Sequence, residues 1–149
     1  MKKVILTILI VVTLSGCLNK EASLFTCKLN DENFEVNITI EYSKENIKII
    51  KQETTELIEP EIADSILIIM DSFSEKFNDI NGIDTKLEFN IDETEYIYTI
   101  IFNFENLDFD KLEEIVSNSS YGPELSLINR NLVFTDYYQT LENENFSCK

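Results

Sequence analysis

The chain has 149 residues, of which 28 are acidic and 12 basic, giving a formal net charge of −16. Such an acidic surface repels nucleic-acid phosphates, so we exclude nucleic acid as a partner. Hydrophobic residues make up 44% of the chain, too many for a disordered acidic tail. The sequence contains no histidine, which leaves acid–base chemistry at neutral pH to perturbed carboxylates, lysine or tyrosine.

Residues 1–17 have the organisation of an export signal. Two lysines precede an uncharged segment from Val4 to Leu14, which is too short to cross a bilayer that needs about 20 helical residues. The small residues that follow, and then Cys17, resemble the lipobox of bacterial lipoproteins. The resemblance implies cleavage between Gly16 and Cys17 and a diacylglyceryl group on the Cys17 sulfur. The alternative is an uncleaved apolar helix followed by an ordinary buried cysteine.

Processing at this site would divide the chain into a signal peptide (1–16), a lipidated tether (17–24) and a single domain (25–149). Loss of two lysines leaves 10 basic and 28 acidic side chains, a net charge of 10 − 28 = −18. Two acyl chains hold a protein stably on a membrane. We therefore predict a lipoprotein of the cell membrane, anchored through Cys17 on the extracytoplasmic face.

Cys27 and Cys148 lie at opposite ends of the predicted domain. Disulfides persist outside the cytoplasm, and these two cysteines form an even pair once Cys17 is acylated. We predict a Cys27–Cys148 disulfide bond. A redox or metal pair is the alternative, but the chain has neither a CxxC motif nor histidine. We predict no metal site and no cofactor.

Hydrophobic periodicity predicts an α+β domain with helices packed on one face of an antiparallel sheet, in the order β-β-β-α-β-β-α-(β)-α. The predicted strands before the first helix are Phe25–Leu29, Phe34–Tyr42 and Ile47–Thr55. Pro60 begins a helix, and Asn81 and Gly82 end it. The helix has an apolar face of seven residues at helical spacing. That face comprises Ile62, Ile66, Ile69, Met70, Phe73, Phe77 and Ile80.

The second half repeats the strand, strand, helix outline. A strand from Ile83 to Ile91 precedes Tyr96–Phe104, which is apolar at nearly every position and is therefore predicted to be covered on both faces. A short helix follows, capped by Asp108 or Asp110. The remaining predicted elements are an extended piece near Leu125–Ile128, a helix around Phe134–Leu141 and a terminal extended segment.

These features resemble the small YehR-like lipoproteins of bacteria. The resemblance is carried by the lipobox, by Thr26-Cys27 near the start of the domain and by the closing Asn145–Lys149, where Asn145 replaces the usual glycine. It implies the same fold, lipid anchoring and cysteine pairing, and it implies no catalytic residues.

No motif in the sequence identifies a catalytic site. Asp108 with Asp110, and Glu113 with Glu114, are carboxylate pairs that are typical of helix ends and solvated faces. The segment Asp108–Glu114 lacks the glycine turn of a calcium loop. The six tyrosines are more typical of packing residues than of a ligand-stacking surface.

Three functions stay open. We favour a non-catalytic envelope module that binds a protein or peptide partner, for example along an open sheet edge. A small-ligand or cation receptor with a groove between helix and sheet is the alternative. An enzyme with an unrecognised site is the least supported. The first predicts an exposed apolar surface, the second a pocket with converging polar groups, and the third perturbed carboxylates sharing a cleft.

Overall fold

The structure is a computed structural model that describes residues 22–92, 94–117, 125 and 127–149. Its strands and helices follow the predicted order, and the predicted α+β class is confirmed. The strands are β1 (Ser23–Asn30), β2 (Phe34–Ser43), β3 (Asn46–Leu57), β4 (Ile83–Phe89), β5 (Glu95–Asn103) and β6 (Ser147–Cys148). The helices in the described residues are α1 (Ala63–Asn78), which follows a 3-10 turn at Pro60–Ile62, α2 (Phe109–Ser117) and α3 (Phe134–Asn143).

All six strands form one antiparallel sheet in the order β4-β5-β3-β2-β1-β6. The first three strands make the expected meander, and β5, rather than β4, pairs with β3, so that β4 forms the edge of the sheet. One row of paired apolar residues crosses the sheet beneath the helices. That row comprises Ile83, Phe102, Ile50, Ile40 and Phe25.

The core lies between this face and the helices. Phe77 of α1, Leu112 of α2 and Leu141 of α3 are buried against it. At roughly 25 cal/mol for each Å² of apolar surface removed from water, side chains of this size contribute about 1.5–3 kcal/mol each. The helices are therefore held mainly by these contacts rather than by their intrinsic propensity.

The opposite face of the sheet is polar. Lys86, Thr99, Glu53, Asn37 and Lys28 are successive cross-strand neighbours on it. Ion pairs within single strands and between neighbouring strands cover this face, including Lys51–Glu53 at 2.8 Å and Lys28–Glu35 at 2.6 Å.

The prediction that β5 is covered on both faces is wrong. Ile97 and Ile101 lie on the polar face and are only half-buried. Their neighbours are long charged side chains such as Lys51 and Lys86, whose aliphatic parts shield apolar surface while their charges stay in water. The unbroken apolar run of β5 indicated that other elements pack on both faces of the strand. On the second face, the aliphatic parts of charged side chains shield the apolar residues instead.

Two local predictions differ from the structure. Leu125 is helical and Leu127 lies in a turn, so the described residues near 125–128 do not form the expected extended piece. Extended backbone occurs instead at Val133, which bridges Asn46. At the other end, β1 begins at Ser23, inside the last two residues of the predicted tether.

Candidate functional site

The predicted processing residues Gly16 and Cys17 lie outside the described residues. The other two cysteines, Cys27 and Cys148, are joined by a disulfide bond. Cys27 is fully buried in β1, and the bond crosses to the two-residue strand β6, whose pairing with β1 is continued by mutual amide–carbonyl bonds between Thr26 and Lys149 at 2.9 and 3.1 Å. The disulfide therefore fixes the C-terminal segment on the sheet.

Of the four carboxylates singled out in the sequence, Asp110 and Glu113 line one surface pocket beside Arg130, and Asp108 and Glu114 are not among its described lining residues. Asp108 caps α2 by accepting the backbone N–H of Lys111 at 3.1 Å, and Asp110 pairs with Arg130 at 2.9 Å. Arg130 also lies 5.7 Å from the centre of the Phe109 ring. These contacts tie the start of α2 to the chain before α3, and both carboxylates stay exposed.

Two carboxylates have a pKa that a neighbouring lysine shifts, and both shifts are downward. The Lys28 ammonium lowers the pKa of Glu35, and the Lys48 ammonium lowers the pKa of Glu105. Both acids are exposed and stay ionised at neutral pH, unlike a general acid. Within the described part of the chain, no cluster of three or more cysteine and acidic residues is arranged to hold a metal ion.

Burial raises the pKa of three tyrosine side chains. Burial, followed by the hydrogen bond from its hydroxyl to the Glu56 carboxylate, raises the pKa of Tyr96. Burial also raises the pKa of Tyr98, against smaller opposite effects from Ser74 and Thr85. For Tyr137, burial raises the pKa and the Glu144 charge raises it further. All three stay neutral at physiological pH and can donate hydrogen bonds.

Helix α1 exposes an apolar surface that the sequence did not predict. The side chains of Ile68 and Ile69 are 70% and 62% exposed, and Leu67 and Ile62 are exposed beside them. We call Ile62, Leu67, Ile68 and Ile69 the α1 apolar surface. Large apolar side chains that cluster on the solvent side of a surface helix are typical of an interaction surface.

Two residues of this surface correct a prediction. Ile62 and Ile69 were expected on the buried face of the helix, but both are exposed. The part of the sheet toward the end of β3 is polar on the helix side, where Thr54 and Glu56 follow Gln52. Helix α1 packs on β4 and against Tyr98 of β5, and this contact buries only the narrower stripe that includes Phe73 and Phe77.

Acidic residues surround the most exposed isoleucine. Asp64 and Asp71 lie four residues before and three residues after Ile68, so they share its side of the helix. Glu61 and Glu75 lie seven residues to either side, and all four acids are exposed. The α1 apolar surface is therefore an apolar strip within a negative field.

The sheet edge at β4 offers a poorer docking surface. The Thr85 N–H, which points away from β5, donates to the Asn78 side chain of α1 at 2.8 Å, so part of the edge is already paired. Exposed Lys86 and Glu88 form an ion pair at 2.8 Å along the same strand. Charges of this kind protect edges against strand addition.

A cavity of about 220 Å³ lies between α3 and the sheet. We call it the α3 cavity. Its walls are mostly apolar, and its polar residues are Gln52 of β3, Tyr137 of α3 and Glu144 just after α3. The lining residues are Leu29, Phe34, Val36, Ile38, Gln52, Phe102, Leu125, Leu127, Ile128, Tyr137, Leu141, Glu144 and Phe146.

Known proteins share the signal and the fold of this chain. The lipid attachment site of prokaryotic membrane lipoproteins matches residues 1–17. The match identifies a membrane-anchored lipoprotein. No helix among the described residues is long and apolar enough to span a membrane. No curated protein matches the chain at a significant level.

Two structures solved by NMR resemble the domain closely. The E. coli YehR protein has 16% sequence identity and a TM-score of 0.67, with 87% of this chain and 92% of that chain covered. The chain has a YehR-like fold. A protein of Streptococcus pneumoniae TIGR4 has 15% identity and a TM-score of 0.65, with coverage of 100% and 96%. The resemblance to YehR-like lipoproteins is thus confirmed in fold and in the lipid attachment site.

Proposed function

We propose that this lipoprotein is a non-catalytic binding module of the cell envelope, and that the α1 apolar surface is where its protein partner docks. The signal is cleaved after Gly16 and the lipid is carried by Cys17, on the extracytoplasmic face of the cell membrane. The observation that carries the proposal is the exposure of three consecutive apolar residues, Leu67 to Ile69, on a helix whose other side is packed in the core.

The chemistry of this surface specifies the partner. A segment that docks on Ile68 brings its own apolar side chains to the strip and meets Asp64 and Asp71 on either side. Apolar residues flanked by lysine or arginine satisfy both conditions, as on one face of a basic amphipathic helix. An anionic bilayer surface does not satisfy them, because the same acids repel it.

The docking proposal is tested by capturing partners from envelope membranes with the full lipoprotein, with Ile68→Ser and with Ile91→Ser. Ile91 is a fully exposed isoleucine in the β4–β5 turn, so it controls for the loss of one exposed apolar side chain. We expect the wild type and Ile91→Ser to recover the same partner and Ile68→Ser to lose it. Raised salt should weaken capture, since the flanking acids contribute. Equal recovery by all three proteins would contradict the proposal.

The anchoring proposal is tested separately by intact-mass measurement of the membrane-bound protein and of Cys17→Ser. The expected mature protein begins at residue 17 and carries added fatty mass, and Cys17→Ser carries none. A mature chain that retains residues 1–16 without added mass would refute the assignment of Cys17.

A further inference from the structure

The α3 cavity is larger than a packing defect. Genuinely empty apolar cavities of about 150 Å³ accept benzene, which has six non-hydrogen atoms. In proportion, the 220 Å³ of the α3 cavity accommodates a molecule of roughly nine non-hydrogen atoms. Its deepest walls are fully apolar side chains, among them Ile38, Phe102 and Leu141, each with at most 3% of its surface exposed.

Tyr137 supplies a hydroxyl group to the wall of the cavity. Tyr137 is only 5% exposed and lines the cavity, and its hydroxyl oxygen, unlike that of Tyr98, is not fully enclosed by the described residues. The Tyr137 hydroxyl is neutral and is able both to donate and to accept.

The charge at the cavity selects against anions. Glu144 is exposed on the cavity wall and lies close enough to Tyr137 for its charge to affect that phenol. Gln52, half-buried on β3, adds a side-chain amide, and no lysine or arginine is among the lining residues that the structure describes. A negatively charged group would therefore meet a like charge and no counter-ion, whereas a hydroxyl or ammonium group would meet acceptors.

We propose that the α3 cavity binds a compact, non-anionic molecule of about nine non-hydrogen atoms, with an apolar body and one hydrogen-bonding head that pairs with the Tyr137 hydroxyl. The site is separate from the α1 apolar surface. The disulfide contributes to it indirectly, because Glu144 and Phe146 of the lining lie in the short segment between α3 and Cys148.

The test uses the full lipoprotein in nanodiscs and ligand-observed NMR, with empty nanodiscs as the blank. The probes are 2-phenylethanol, 2-phenylethylamine and phenylacetate, which share a ring of suitable size and differ in the charge of the head. We expect the alcohol and the amine to bind and the anion to bind at least tenfold more weakly. Absence of binding by the alcohol and the amine, or equally tight binding of phenylacetate, would overturn the proposal.

Two variants locate the bound probe. Tyr137→Phe keeps the shape of the wall and removes the hydroxyl, so we expect the affinity for 2-phenylethanol to fall about fivefold to tenfold. Tyr98→Phe makes the same change at a buried tyrosine outside the cavity, and Ile68→Ser alters the α1 apolar surface. Both should bind the alcohol as the wild type does. Unchanged binding by Tyr137→Phe would refute the assigned head-group contact, and loss of binding by Ile68→Ser would place the probe on α1 instead.

Discussion

Gly82 joins the turn after α1 to β4 in a conformation that other residues rarely adopt. Its φ of 84° lies in the left-handed region, and a Cβ there would stand 2.6 Å from the backbone of Leu107. The Gly82 carbonyl also accepts the N–H of Asn103 at 2.8 Å, so the strand cannot shift to make room without losing this bond. Both the backbone angle and the close neighbour require glycine.

We predict that Gly82→Ala lowers the free energy of unfolding by about 2 kcal/mol or more, since left-handed strain alone costs about 1–2 kcal/mol and the clash adds to it. Urea denaturation measures the change. Lys44→Gly is the matched control, because Lys44 has a φ of 59° in the β2–β3 turn and glycine relieves that strain. The prediction fails if Gly82→Ala is as stable as the wild type.

Tyr96 and Tyr98 are neighbours on one face of β5 with opposite hydrogen-bond status. The Tyr96 hydroxyl donates to Glu56, whereas the buried Tyr98 hydroxyl lies near the Ser74 and Thr85 side chains but makes no hydrogen bond of normal geometry with a described residue. We expect Tyr96→Phe to lose about 1 kcal/mol of stability and Tyr98→Phe to lose none, because removal of an unpaired buried hydroxyl relieves a desolvation cost. Thermal and urea unfolding of the two variants measure the difference. A larger loss in Tyr98→Phe would show that its hydroxyl is paired.

At the scale of elements, hydrophobic periodicity predicted the buried residues of α1 only in part. The spacing of apolar residues correctly placed Phe73 and Phe77 against the core. It also placed Ile62 and Ile69 there, because periodicity gives the direction of a face and not the width of the contact it makes. The width depends on which strands lie opposite the helix, here β4 and Tyr98 of β5, and the sequence does not show that arrangement.

The division of α1 predicts different mutational costs on its two sides. Phe77→Ala should destabilise the domain by about 3–5 kcal/mol, as expected for a fully buried aromatic residue. Ile68→Ser should change stability by less than about 0.5 kcal/mol, as is usual for exposed positions. Urea denaturation of both variants tests this. A cost above 1 kcal/mol at Ile68 would mean that the surface is structural and would weaken the docking proposal.

The strands were more predictable than their arrangement. Alternation at Val36, Ile38 and Ile40 predicted the register of β2 relative to the core, and these residues are buried as expected. Placement of β5 beside β3 depends on pairing between residues such as Ile50 and Phe102, which are far apart in sequence. Nothing in the local pattern encodes that choice. The α3 cavity was equally hidden, since its walls come from several separate segments.

At the scale of the whole molecule, the buried tyrosines make stability depend on alkaline pH. The folded state holds the pKa of Tyr96, Tyr98 and Tyr137 above the ordinary value of 10.0. Because the neutral phenols are favoured only in the folded state, their contribution is complete below pH 10 and is lost as the pH rises further.

We therefore predict that the free energy of unfolding is independent of these phenols at pH 7–9 and falls above about pH 10. Urea midpoints measured between pH 8 and pH 11, together with the ultraviolet absorbance of tyrosinate, test this. The triple variant with phenylalanine at the three positions should lose most of the dependence. A wild-type stability that rises above pH 10 would contradict the sign of the pKa shifts.

The placement of β1 has a mechanical consequence. This strand begins a few residues after Cys17 and pairs with β2 over eight residues. On its other side the disulfide links it covalently to β6. Tension between the proposed lipid on Cys17 and a partner bound to α1 would enter the domain at the first residues of β1. Where this force acts along the strand axis, it would load the whole strand at once. Its hydrogen bonds would then have to shear together, whereas a strand pulled sideways unzips them one at a time.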